Sequence, residues 1–482
     1  MAFYTNSEGA PKYDFIIRPG GDINDIKLRY KGQNEIRASE SSITVETEFG
    51  PLQEEIPIAY YTNESGRRVR VDVRPVIDGN ELRFEAGEVP EGRIFVIDPY
   101  LIWGTYYGGS SQEEIIQVKN YDPDEHDSEI IAVGWTSGSN NLASVGAYQG
   151  SHSGDTDAFL ASFSHDLSDR NWSTYFGGSE GDQGTGIDIN GSDIAITGVT
   201  NSHGLATSGM HKTNKGFHTD LFISIFTSSG VHQRTTYFGG DGEDFSTHNN
   251  IAFLNSGSDI VITGQTHSSS GLATAGSHQP AFGLGNNDAF VAKINSSLNN
   301  LDWATYFGGN GDECACAVTV EDNIIYFTGK STTEQSLGFN LNSYMYRGIL
   351  GVDGDQQAYI AKFSQNGTLL AGTFYDTGGD EEGKDLYVTN SGDIILVGST
   401  RMIPGNPYDI DTLVTSNGYQ QYNAGLDDGF IAIFDNDLEE LKYGTLYGGS
   451  SDDEINALSV EEDAVFPSIY VCGETKSGNG AM

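Results

Sequence analysis

Trp172-Ser173-Thr174-Tyr175-Phe176-Gly177-Gly178 decides the fold, because near copies of its Thr-Tyr-Phe-Gly-Gly end close at Gly109, Gly178, Gly240, Gly309, Gly379 and Gly449. The intervals between them are 69, 62, 69, 70 and 70 residues. Spacing that regular marks a repeat protein, and a period that long must hold several short strands. After each Gly-Gly comes an alternating run, a polar turn and a second run ending in glycine, as in Ile187-Asp188-Ile189-Asn190, Gly191-Ser192-Asp193 and Ile194-Ala195-Ile196-Thr197-Gly198. This is a hairpin signature. A Ser/Gly/Thr-rich loop follows (Leu142-Ala143-Ser144, Leu205-Ala206-Thr207, Leu272-Ala273-Thr274), then a third strand opening on Asp157-Ala158-Phe159, Asp220-Leu221-Phe222, Asp288-Ala289-Phe290, Gln357-Ala358-Tyr359 or Asp428-Gly429-Phe430. The fourth strand runs into the next Gly-Gly.

Four strands per period is one propeller blade. The expected fold is therefore all-β: a β-propeller of four-stranded blades over residues 99–482, six by the Gly-Gly count or seven if the natural chain continues. The aromatic pairs are expected between sheets. Residues 93–97 are a candidate strand to complete the sixth blade, which the chain leaves unfinished at its C-terminal end, so that both chain ends would close the ring. Residues 1–98 lack the repeat but alternate like strands, and they read as a small β-sandwich-like domain. Ile97-Asp98-Pro99 is the expected join. No signal peptide or transmembrane run is legible, and both ends resemble cuts in a longer polypeptide.

Charge narrows the partners. The net charge is −43, and residues 1–100 hold 12 Lys+Arg against 18 Asp+Glu, which leaves 13 against 50, or −37, for the repeats. A nucleic-acid partner is thereby disfavoured. Cys314 and Cys316 are two apart on one strand face and are read as too extended to bond each other, with Cys472 in the last unit. A disulfide framework is disfavoured, and a lone C-x-C has no second ligand pair for zinc, so that pair is taken as buried small residues.

One polar feature recurs. An acid stands four residues after the second glycine in five of the six units: Glu113, Asp182, Asp244, Glu313 and Asp453. Unit five has Gly383 there, behind Asp380, Glu381 and Glu382. A carboxylate so placed can accept backbone N–H groups of its own turn, the preferred reading; a ring of oxygen ligands for Ca2+ is the alternative. The oxygen-rich loops at residues 122–127, 155–157 and 353–355 do not follow a twelve-residue calcium loop. There is no His-Glu-x-x-His and no Gly-x-Ser-x-Gly, so no catalytic residue and no cofactor is assigned.

The strings around Trp172 to Gly178, Leu205-Ala206-Thr207-Ser208-Gly209-Met210-His211 and Asp288-Ala289-Phe290-Val291-Ala292-Lys293-Ile294 resemble the bacterial beta-propeller repeat (SBBP) family. Lys12-Tyr13-Asp14-Phe15-Ile16-Ile17-Arg18-Pro19-Gly20-Gly21 is similar to the domain that commonly precedes those repeats. The resemblance implies a large secreted or surface-attached protein of the Bacteroidetes type, exported by type IX secretion, located extracellularly or on the outer-membrane surface. The expected function is a non-enzymatic binding or adhesion scaffold for polysaccharide or a surface protein. The alternatives are a polysaccharide lyase or hydrolase with its site at the propeller axis and a structural part of a surface fibre. Tyr344, Tyr346, Tyr408, Tyr419 and Tyr422, in loops that lengthen the repeat, are the first choices for ligand contacts, with simple packing of the long loops as the preferred reading.

Overall fold

The computed structural model is all-β, with thirty-four strands and no α-helix among the described residues. These are residues 2–5, 11–18, 21–23, 26–29, 33–38, 42–47, 50–55, 58–62, 68–71, 73–78, 81–87, 90 and 93–98, then 107–109, 111–121, 128–138, 142–164, 169–255, 258–333, 337–339, 356–376, 379–401, 414–462 and 468–477. No helix of theirs is long and apolar enough to cross a membrane. Two compact units divide the chain, the first over Met1–Tyr106 and the second over Tyr107–Ala481.

In the first unit a five-stranded sheet runs in the order Ala2–Thr5, Pro11–Ile17, Phe95–Asp98, Ile58–Thr62, Arg68–Val71. Two three-stranded sheets accompany it, one of Leu28–Arg29, Glu81–Ala86 and Val73–Asp78, the other of Gln33–Ala38, Ser42–Thr47 and Gly50–Glu55. Strand alternation drives Leu82 and Phe84 inward to meet Phe95, Ile97, Ile36 and Ile43 in one core. This corrects the expected use of residues 93–97. Phe95–Asp98 pairs with Pro11–Ile17 and Ile58–Thr62 instead of closing the last repeat, because that register buries Phe95 and Ile97 in the first unit's core.

The second unit is a succession of antiparallel sheets, each beginning just after a Gly-Gly. The first sheet joins Glu113–Tyr121, Glu129–Thr136, Asp157–Ser164 and Arg170–Phe176, and the second joins Asp182–Asn190, Asp193–Thr200, Asp220–Thr227 and His232–Phe238. In the third, the opening strand is split into Asp244–Phe245 and Ile251–Phe253 before Ile260–Thr266, Asp288–Ile294 and Leu301–Phe307. The fourth joins Glu313–Glu321, Ile324–Ser331, Gln357–Ser364 and Leu369–Tyr375, and the fifth Asp380–Val388, Ile394–Arg401, Asp427–Phe434 and Leu441–Tyr447. Asp453–Glu461 and Ser468–Thr475 form a sixth sheet. The four-strand period is therefore as expected, and the architecture is propeller-like.

Packing between sheets follows from alternation on the fourth strand. Phe176 faces forward into Ile187, Ile194, Ile196 and Phe222 of the next sheet. Tyr175 faces the other way, against Leu142, Phe159 and Ala161. The tyrosine carries a hydroxyl for a reason: Tyr237 Oη donates to Ser202 O at 2.9 Å and accepts from Leu205 N at 2.9 Å, tying down the loop between its own sheet's second and third strands. Tyr306 Oη likewise donates to Ser268 O at 2.8 Å.

Every inner strand bulges at one place, between Ile115 and Gln117, Gly184 and Gly186, Ala315 and Ala317, Gly383 and Asp385, and Ile455 and Ala457. The third sheet exaggerates it. Gln183 and Ile187 of the second sheet bracket three residues opposite two, whereas Phe245 and Ile251 bracket five (246–250) opposite two. The two added residues push Asn249, in a left-handed turn at φ 48°, to where Gln117 Nε2 donates to its Oδ1 at 2.5 Å and its Nδ2 donates to Asp385 Oδ1 at 2.9 Å. One side chain thus joins inner strands of the first, third and fifth sheets. A straight stack of sheets could not bring these together, so the inner strands curve around a common axis.

Candidate functional site

Two polar systems organise the second unit: a lock repeated at each Gly-Gly turn and a plug on the axis. In the lock, Asp182 accepts from Gly178 N at 2.7 Å, from Ser202 Oγ at 2.8 Å and from Thr200 Oγ1. Asp244 does the same with Gly240 N at 2.8 Å, Ser268 Oγ at 3.0 Å and Thr266 Oγ1. Glu313 accepts from Gly309 N and Ser331 Oγ, both at 2.8 Å; Asp453 accepts from Gly449 N at 2.6 Å and Ser477 Oγ at 2.7 Å; Glu113 accepts from Thr136 Oγ1 at 3.0 Å. In the fifth sheet Glu381, two residues after Gly379, takes the place, pairing in register with Thr400 and accepting from its Oγ1 at 2.7 Å. Asp182, Asp244, Glu313 and Asp453 thus pin their own turns through a glycine N–H, while Glu113 and Glu381 hold a second-strand threonine. Among the described residues no three His, Cys, Asp or Glu side chains are grouped to hold a metal ion.

The acid that opens each third strand completes the lock. Asp157 Oδ2 accepts from Ser153 N and Gln149 Nε2, both at 2.8 Å, while Gln149 Oε1 accepts from Gly177 N at 2.9 Å. Gln279 and Gln420 bridge Asp288 to Gly308 and Asp428 to Gly448 in the same way; at the second sheet Lys212 Nζ reaches Asp220 Oδ2 at 2.6 Å and Gly239 O at 2.9 Å. The first glycine of the described pairs is needed for room: a β-carbon on Gly177 would stand 2.4 Å from Asp157 Oδ1 and 2.9 Å from Asp182 Oδ2. Asp157, Asp220, Asp288 and Asp428 all leave Oδ1 buried without a hydrogen-bond partner. Burial, reinforced by the Asp182 charge, pushes Asp157 up to about 7. Burial also lifts Glu313 to about 7 and Asp244 and Asp288 to about 6.

On the axis the bulges aim side chains inward. Gln117 Oε1 accepts from Ile187 N at 2.7 Å, Asp188 Oδ2 from Phe253 N at 2.8 Å, Asn249 O from Val318 N at 2.9 Å and Asp385 Oδ2 from Leu458 N at 3.0 Å, so inner strands are stitched to their neighbours. Burial raises the pKa of Asp385. Toward the Gly-Gly rim stand charge-balanced pairs: Lys330 Nζ lies 3.3 Å from Glu382 Oε2, and Lys384 meets Glu454 and, at 2.9 Å, Asn456 Oδ1. Trp135 Nε1 donates to Glu114 Oε2 at 3.1 Å. His248 is exposed, yet partial desolvation lowers its pKa, helped by Lys384, with Glu114 and Glu382 opposing.

These axial residues were missed in the sequence. The available signal was the two extra residues before Ile251, which show only against the register of the partner strand. The C-x-C reading needs correction in one respect: both thiols are buried as expected, but Cys316 Sγ and Cys314 Sγ are 3.6 Å apart, because the bulge contracts the strand between them. Cys472 is exposed.

The loops between second and third strands lie at the Gly-Gly rim, and they carry the exposed apolar side chains Val145, Phe217, Leu284 and Leu426. Tyr419 and Tyr422, in the fifth sheet's loop, are 75% and 71% exposed. Tyr344, Tyr346 and Tyr408 lie outside the described residues, as do the loops at 122–127 and 353–355.

Residues 1–100 match the family described as Domain of unknown function (DUF7948). No curated protein matches the chain. Among solved structures, a Synechocystis ACO mutant is similar over 90% of this chain and 96% of its own, at 8% identity and TM-score 0.33. An ACO/RPE65 chimera is similar over 92% and 96%, at 9% identity and TM-score 0.31. Likeness at that level carries no inference about activity.

Proposed function

We propose that the chain is a non-enzymatic binding scaffold of the cell exterior, a six-bladed propeller whose Gly-Gly rim docks a neutral polysaccharide, with a surface protein as the second partner class. The carrying observation is that corresponding loops on one rim present large apolar side chains to solvent: Phe217 is fully exposed, Leu284 84% and Leu426 64%. Exposed apolar side chains mark interaction sites where they gather on one surface, and these stand in corresponding loops of three sheets. Tyr419 and Tyr422 add flat rings beside them, suited to the apolar faces of sugars. A repeat region at −37 repels polyanions, which favours an uncharged glycan.

The recurring acids support a scaffold because hydrogen bonds within their own turns occupy them. The axial lysines likewise sit in pairs with Glu382 and Glu454. The test is a panel of neutral and acidic polysaccharides presented to the full chain, scored for binding and for cleavage. Binding to neutral glycans without turnover is expected. Cleavage would replace the scaffold with an axial enzyme, and self-association without glycan binding would replace it with a fibre component.

A further inference from the structure

The fourth inner strand holds a chemical group that the binding function leaves unused. Residues two apart in a regular strand have Cα atoms about 6.5–7 Å apart, at the upper limit of what a disulfide bridges. The bulge between Ala315 and Ala317 shortens this reach and brings the Cys314 and Cys316 sulfurs to 3.6 Å. A proton acceptor is in place on the neighbouring inner strand, Glu382 Oε1 at 3.6 Å from Cys316 Sγ, itself paired with Lys330. Glu382 keeps a quarter of its side chain in solvent, while both thiols are buried beside it. The same bulge holds the plug: Ala315 O accepts from Asn250 Nδ2 at 2.9 Å and Cys316 O from Thr247 Oγ1 at 3.3 Å.

We infer that Cys314 and Cys316 form a dithiol that closes to an intrachain disulfide on reaction with a peroxide. The Cys316 sulfur attacks one peroxide oxygen and breaks the O–O bond, its proton passing by way of Glu382 to the departing oxygen, which leaves as water. The Cys314 sulfur then attacks the resulting sulfenic sulfur; the S–S bond forms, the S–O bond breaks, and the hydroxyl leaves with the Cys314 proton as a second water. Two thiols lose two electrons and hydrogen peroxide gains them. The contact with Cys314, together with burial, holds the proton on Cys316, so closure quickens as pH rises.

The full chain, treated with hydrogen peroxide, denatured and alkylated with a maleimide, reports the result by mass. Of its three cysteines, two are expected to escape alkylation, with a loss of two hydrogens, recovery by dithiothreitol and a peptide that maps the link to positions 314 and 316. Cys472→Ser should close as the natural sequence does, and Cys314→Ser should not close. Three alkylated thiols, oxygen added to one sulfur without a link, or only dimers joined through Cys472 would each overturn the inference. The reading on the unsubstituted chain decides the matter even if a variant misfolds.

Discussion

Burial of carboxylates at the turn locks sets how stability depends on pH. Asp157 and Glu313 stand near 7 and Asp244 and Asp288 near 6, all raised, so folding takes up protons at these groups. Their contribution is full below the ordinary carboxylate value and is lost as pH rises through about 6–7. Tm is therefore expected to be higher at about pH 5 than at about pH 8, and Asp157→Asn should shrink the difference because the amide does not titrate. Gln357 already puts an amide at that position in the fourth sheet. A Tm that climbs from the lower to the higher pH contradicts this. Because the recurring acids already accept from glycine N–H groups and second-strand hydroxyls, about 5 mM calcium is expected to leave Tm unchanged; a rise of several degrees would restore the metal reading.

Among the elements, the split inner strand of the third sheet bears most on the axis. Asn249→Ala removes the acceptor of Gln117 and the donor to buried Asp385, and is expected to cost about 2–4 kcal/mol in chemical denaturation. Asn249→Gly, which tolerates the positive φ, should cost about as much, since the loss lies in the side chain. A loss under about 0.5 kcal/mol in both would show that the plug does not hold the axis. Tyr237→Phe should cost about 1–2 kcal/mol through its two loop hydrogen bonds. The strands themselves were legible, because alternation and turn residues are local signals. The bulges were not: a strand shows its extra residue only against its partner's register, and this is why Cys314 and Cys316 read as too far apart. Glu381 escaped for the same reason, its turn being two residues shorter than the others. Residues 93–97 alternate equally well for either unit, and only the core that receives Phe95 and Ile97 separates the two.

For the whole molecule, what repeats builds, and under the proposed function what varies binds. Glycines, acids, tyrosines and bulges recur because each sheet must turn, lock and face the axis alike, whereas Phe217, Leu284 and Leu426 differ in kind and share only position and exposure. The most direct measurement is binding of the full chain to an immobilised neutral polysaccharide that it retains, compared with the variant Phe217→Ser, Leu284→Ser, Leu426→Ser. The side chains removed are solvated, so Tm should stay within about one or two degrees while affinity falls at least about tenfold. Undiminished binding by a variant of unchanged Tm would contradict the rim as the docking surface.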